Sequence, residues 1–173
     1  NTPNQWLDVI GVPNIQFCLP HTDPDGNATN GINRVEMEVT GTTWNNNNIN
    51  SGIKPALNWD PDNYFNVYVL PIPGTTAMGG VVGFANNPTT FSIGSTTDGA
   101  VVDYRWFGGP GLGSSGHETL THEAGHYLGL DHPFDGNSCN QDDGIADTPN
   151  VNDATSNLIT ISCDDEFPMG PES

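Results

Sequence analysis

Three features of the chain predict an α+β fold built as one domain. Short apolar, strand-like runs recur through residues 14–107, a single convincing helix follows them, and the links between are rich in turn formers. The length of 173 residues falls within the usual single-domain range, and no repeat or second hydrophobic core marks a boundary. The expected organisation is one domain over residues 1–173, with a loop-rich C-terminal subdomain from about residue 130.

Asn14 to Leu19 reads as a strand, with Cys18 a buried thiol inside its apolar run. His21-Thr22-Asp23-Pro24-Asp25-Gly26-Asn27 follows as a turn. Its side chains could hold Ca²⁺, although tight turns use the same residues more often. From Ile32 to Val39, Val35, Met37 and Val39 alternate with Arg34, Glu36 and Glu38, the pattern of a half-buried strand. Thr42 to Ser51, with four consecutive Asn at 45–48, lacks periodicity and reads as an exposed loop. After the turn Trp59-Asp60-Pro61-Asp62, the nearly continuous apolar run Tyr64 to Leu70 predicts a central strand ended by Pro71 and Pro73. Gly80-Val81-Val82-Gly83-Phe84-Ala85 is a further short strand and Asp98 to Phe107 another, before the glycine-rich stretch Gly108 to Gly116.

The helix has a start signal in Ser115-Gly116-His117-Glu118, which fits a capping box, and a stop in Gly129. Leu120, Ala124, Tyr127 and Leu128 recur at helical spacing and are expected to bury one side. His122 and His126, four apart, then share an adjacent side. His117 in the first turn and His21 in its loop read as solvent-facing.

Composition narrows the function. Twenty-one acids against three bases leave a charge of -18, which repels nucleic acid phosphates and anionic membrane surfaces. The same charge fits extracellular solubility and, less directly, steering of cationic peptides. No apolar run reaches the roughly 18 residues a membrane helix needs. The chain starts without a basic and apolar leader, so its numbering reads as that of a mature chain; a location outside the cell, from the charge, and a monomer are the working expectations. Cys139 and Cys163 bracket an acidic, loop-like region that a disulfide would restrain, which leaves Cys18 unpaired.

The chemistry lies in His122-Glu123-Ala124-Gly125-His126-Tyr127-Leu128-Gly129-Leu130-Asp131-His132. A hydrolytic zinc site takes three protein ligands at about 2.0 to 2.1 Å and keeps a fourth position open. His122 and His126 supply two, and Gly129, able to adopt positive φ, turns the chain so that His132 supplies the third. Glu123, beside the first ligand, is placed to act as general base and then general acid for an attacking water. By chance, the five-residue core arises in roughly one such chain in 200, and with Gly129 and His132 in about one in 60,000.

With this site on the page, the sequence resembles the metzincin zinc peptidases and, within them, the pappalysin family with its bacterial, cytophagalysin-like members. Similar stretches include Phe17-Cys18-Leu19, Asp23-Pro24-Asp25-Gly26-Asn27, Gly31-Ile32-Asn33-Arg34 and Trp59-Asp60-Pro61-Asp62-Asn63-Tyr64. Others are Gly83-Phe84-Ala85, Asp98-Gly99-Ala100-Val101-Val102, Thr119-Leu120-Thr121-His122-Glu123 and Asp143-Gly144-Ile145-Ala146-Asp147-Thr148-Pro149. The resemblance implies a metzincin-like catalytic domain with a twisted mixed sheet above the cleft, the metal helix at its floor, and protein or peptide substrates. It also implies an antiparallel edge strand that pairs with extended substrate, for which Gly80, Val81, Val82, Gly83, Phe84 and Ala85 are the candidates. Extracellular action, a latent precursor and, in some members, Ca²⁺ follow from it as well. Asp142, Asp143 and Asp147 are candidate calcium oxygens, or merely a solvated acidic loop.

The C-terminal end departs from the family pattern. A methionine turn is expected beneath the metal, and Met169, in Glu166-Phe167-Pro168-Met169-Gly170, is the only downstream methionine. Either Met169 serves, or the turn lies on a segment outside this chain, the reading slightly favoured. Two competing functions stand beside the peptidase: an acidic adhesion or Ca²⁺-binding module with a vestigial zinc site, and a zinc hydrolase acting on a non-peptide amide.

Overall fold

A computed structural model describes residues 14–37, 46–72, 81–88, 93–108, 118–133 and 143–145. Residues 34–132 form one compact unit, and residues 1–33 with 133–173 form another.

In the larger unit a three-stranded mixed sheet runs in the order β1-β3-β2, with β1 Val67–Leu70, β2 Gly83–Ala85 and β3 Ala100–Asp103. β1 pairs with β3 in parallel, Val67 opposite Ala100 and Leu70 opposite Asp103. β2 pairs with β3 antiparallel, Gly83 opposite Val102 and Ala85 opposite Ala100. β3 is therefore flanked on both sides, while β1, within the run Tyr64 to Leu70, has one partner among the described residues. Along β1, Tyr68 is buried and Val69 exposed, the alternation of a strand covered on one face. All four residues of β3 are buried. The strand expected from Asp98 to Phe107 is confined to β3, because Asp103 accepts the Arg105 N–H and starts a 3₁₀ turn over Tyr104–Trp106.

Asn46 to Ser51, the described part of the segment expected to be a loop between Thr42 and Ser51, opens a helical arm instead. Helix α1 (Asn46–Asn48), a π turn (Ile49–Ile53) and helix α2 (Lys54–Leu57) follow without a break. Ile49, Ile53 and Leu57, four apart, put one face into the core, where Ile49 is 0% and Ile53 4% exposed. The polar Asn run hid this spacing, and burial of each isoleucine, worth about 1.5–3 kcal/mol, outweighs the poor helix propensity of Asn. Tyr68, Ile72 and Val101 complete this cluster, with Leu70 and Phe84 packed against it.

Lys54 is buried within this core. Its ammonium donates to the Thr97 and Gly99 carbonyls at 2.9 and 3.0 Å and lies over the Tyr68 and Phe84 rings. Burial lowers its pKa to about 8, against the opposing pull of the Asp98 carboxylate.

Two further expectations are corrected. Residues 14–20 and 32–37 form no strand, and Ile15, Phe17, Leu19, Val35 and Met37 are each more than 40% exposed. Alternation makes a strand only where a neighbour completes its ladder, and neither segment has one among the described residues. Cys18 is accordingly exposed, not buried. The turn between them stands: Asp23 Oδ1 accepts the Asp25 and Asn27 N–H groups, and Thr22 bridges to Ala28. Among the described residues no helix is long and apolar enough to cross a membrane.

Candidate metal centre

Helix α3 spans Thr119–Tyr127 and packs on β2 and β3. Its N-cap is Glu118, which makes no side-chain capping bond, and the Ser115 of the expected capping box lies outside the described residues. Thr119 and Glu123, four apart, are the buried positions of the helix. Leu120, Ala124 and Tyr127 are only half-buried, and Leu128, expected inside, is 48% exposed. The sheet-facing side thus carries a carboxylate where an ordinary amphipathic helix carries an aliphatic group.

The helix ends as the glycine suggests. Gly129 has φ +96°, its N–H donates to His126 O, and Leu130 N–H donates to Gly125 O. This pair of bonds is a Schellman motif, in which a left-handed residue just past the helix returns the chain over its last turn. His132 is thereby brought to the other two imidazoles. The three Nε2 atoms stand 3.0 Å (His122 to His132), 3.0 Å (His126 to His132) and 3.1 Å (His122 to His126) apart.

The donor set fits a zinc ion. Nitrogens each about 2.0–2.1 Å from one tetrahedral ion lie roughly 3.3 Å from each other, close to the observed triangle. The spacing also suits N–H···N hydrogen bonds, but a neighbouring contact argues otherwise. His126 Nδ1 lies 2.7 Å from the Leu130 carbonyl, which can only accept, so the proton sits on Nδ1 and the Nε2 lone pair faces the triangle. Burial, and then the charges of His126 and His132, lower the pKa of His122, favouring the neutral form that a ligand must have.

Glu123 follows His122 on the same helix, turns toward β2 where its Oε1 lies against Gly83, and is only 4% exposed. The Ala85 N–H favours its charged form, while Oε2 is buried with no partner. An orphaned carboxylate oxygen next to three converging imidazoles is the place for a polar reactant. Burial raises its pKa to about 7, against the opposing influence of His126 and the Ala85 N–H. Gly83 makes the approach possible, since a Cβ there would stand 2.9 Å from Glu123 Oε1.

Of the residues singled out from sequence, His122, Glu123, His126 and His132 come together. Gly83, Phe84 and Ala85 form β2, and Val81 and Val82 lead into it. Gly80, His117, Cys139, Asp142, Asp147, Cys163 and Met169 lie outside the described residues. Asp143 is described, and its Oδ1 accepts the Ile145 N–H, a local turn contact. Sequence reasoning missed the Ala85 amide and the Leu130 carbonyl. The bend at Gly129 could have pointed to Leu130, but backbone groups leave no residue signature for Ala85.

Comparison with known proteins extends this geometry. A family profile described as pregnancy-associated plasma protein-A, a peptidase family, matches residues 35–167. An extracellular metalloprotease of Podospora anserina is 33% identical over 141 residues, covering 78% of this chain and 42% of the relative. One from Colletotrichum graminicola is 32% identical over 155 residues, covering 86% and 50%. The chain therefore spans about half the length of these relatives. Among solved structures, mature mirolysin of Tannerella forsythia, in complex with a cleaved peptide, superposes with a TM-score of 0.70 at 35% identity, covering 86% of this chain and 56% of mirolysin. At that identity the likeness carries the α+β, metzincin-type fold.

Proposed function

The chain belongs to the pregnancy-associated plasma protein-A family of peptidases, and on that premise we propose that it is a secreted, zinc-dependent endopeptidase. The observation that carries this reading is the triangle of Nε2 atoms, whose first histidine is followed directly by Glu123 with a buried, unpartnered carboxylate oxygen. Residues 1–173 are read as parts of one catalytic domain.

His122, His126 and His132 would hold the ion through Nε2. Zinc, when bound, supplies Lewis acidity that acidifies water toward a pKa of about 7 and polarises the scissile carbonyl. Glu123 accepts the proton of the attacking water on Oε2 while the Ala85 N–H favours its charged form. As the water oxygen bonds to the carbonyl carbon and the C–N bond breaks, Glu123 passes that proton to the departing amine. No covalent link to the protein forms.

Substrate binding is assigned to Gly80 to Ala85. Support comes from β2, which is antiparallel to β3 and lies at one edge of the described sheet, where an extended peptide can add a strand. Peptide substrates are further supported by the cleaved peptide held by mirolysin, and action outside the cell by the names of the fungal relatives.

The test is a diverse peptide pool read by mass spectrometry. Wild-type protein is expected to cut it, a chelator to stop the cutting, and Glu123→Ala to cut nothing while retaining zinc. A zinc-loaded wild type that leaves every peptide whole overturns the proposal and favours the acidic adhesion or Ca²⁺-binding module with a vestigial site.

A further inference from the structure

Residues 83, 85 and 87 lie two apart along the strand and its extension, so they recur on one side of it. Gly83 makes room for Glu123 and Ala85 holds its carboxylate. Asn87 continues the series: its Nδ2 donates to Asp131 Oδ1 at 2.7 Å. Asp131 immediately precedes the third imidazole. Next to it, Pro88 Cγ lies 3.5 Å from where a Cβ on Gly129 would be, so the same segment also covers the glycine bend.

The loop from Gly129 to His132 is therefore held from two sides. Gly129 N–H, Leu130 N–H and the Leu130 carbonyl are bound to helix α3 through His126 O, Gly125 O and His126 Nδ1. Those bonds end one residue short of Asp131. The Asn87 side chain takes up the loop where they stop, and it comes from a segment 44 residues away in sequence. A ligand presented by a loop keeps its geometry only as well as the loop does, and outer contacts of this kind tune how long a metal stays.

We propose that Asn87 and Asp131 form a latch that positions His132 and slows release of the zinc ion, so that the extension of β2 regulates metal retention. Asn87 and Asp131 are positioning residues, acting through His132. The inference rests on the zinc peptidase reading and deepens it.

The test is the rate at which the zinc-loaded full chain surrenders its metal to an excess of a chromophoric chelator. It is read beside the melting temperature of the metal-free protein. Asn87→Ala and Asp131→Ala are each expected to speed release about tenfold, the low end for an outer contact because the bond between them is open to solvent. The double variant is expected to be no faster than either single one, since both remove the same bond. The reversed pair, Asn87→Asp with Asp131→Asn, is expected to recover most of the loss, and metal-free melting to stay unchanged throughout. Unchanged release, or single losses that multiply in the double variant, overturns the latch. So does metal-free melting that falls in step with release, which marks a merely structural bond. Wild-type protein that holds no zinc overturns the peptidase reading itself. Wild type that holds zinc as firmly as its variants overturns only the latch.

Discussion

Gly83 lies directly against Glu123: a methyl group on Gly83 would sit 2.9 Å from the carboxylate Oε1, 2.9 Å from the Val101 carbonyl oxygen and 3.0 Å from Thr119 Cγ2. The carboxylate could swing aside, but the Val101 oxygen belongs to the central strand and cannot. Gly83→Ala is therefore expected to displace β2 or Glu123 and lower kcat on the order of 100-fold, the cost of about 1 Å of misplacement. Zinc content should not change, since no histidine is touched. Steady-state kinetics on a cleaved peptide, paired with metal analysis, checks this, and an unaltered kcat would count against it.

Gly129 poses a different problem, because its φ of +96° lies where L side chains are strained, while the space around it is open apart from Pro88. Gly129→Ala should cost roughly 1–2 kcal/mol in backbone strain. The strain falls on the bend that returns His132, so zinc affinity is expected to drop about tenfold if the bend relaxes only without metal. Competition for zinc against a calibrated chelator measures it. Affinity equal to wild type would show that the bend tolerates a side chain.

Lys54 makes stability depend on alkaline pH. Its folded pKa, about 8, lies below the ordinary value of 10.5, so between these limits the unfolded chain binds the proton more tightly than the folded one. Stability conferred by releasing it therefore rises with pH above about 8. Buried Tyr68, pushed upward by burial and by Asp98, works the opposite way once unfolded tyrosine ionises near pH 10. Chemical denaturation between pH 7.5 and about 9.5 should show the rise in wild type and not in Lys54→Met. Parallel profiles for the two proteins would contradict this.

Asp103 acts at the acid end. Burial alone would raise its carboxyl, but bonds from the Arg105 guanidinium, the Arg105 N–H and the Ile72 N–H outweigh it and hold it below the usual carboxylate value. Its contribution is thus complete above about pH 4 and is lost as pH falls through the folded value. Arg105→Met removes the 2.8 Å contact with Asp103 Oδ2 and leaves a buried carboxylate short of donors. The variant is expected to melt lower than wild type at pH 6, with the gap closing toward pH 2. A gap independent of pH would mean that Arg105 stabilises by packing alone.

What could be read from the residues follows from how local each feature is. The three converging imidazoles and the carboxylate after the first were legible because helical spacing and one glycine bend determine them within eleven consecutive residues, His122 to His132. The turn at Asp23 to Asn27 was legible for the same reason, since its side chains bond their own backbone. Features that depend on a distant partner were misread. Ile32 to Met37 alternates like a strand, yet no neighbouring strand among the described residues completes it, while the Asn-rich segment turned helical because Ile49 and Ile53 found Tyr68 and Val101 to pack against.

By itself, then, the sequence determined which three imidazoles converge and that a carboxylate follows the first of them, both consequences of residue identity and short spacing. Only the tertiary structure decided that β3 is central, that Ala85 and Gly83 bear on Glu123, and that Asn87 reaches Asp131. Those contacts join segments dozens of residues apart, through a backbone group at Ala85, a missing side chain at Gly83 and a side-chain pair at Asn87 and Asp131. Spacing along a chain carries no trace of them, because it is the packing of the strands on the helix that brings the partners within reach.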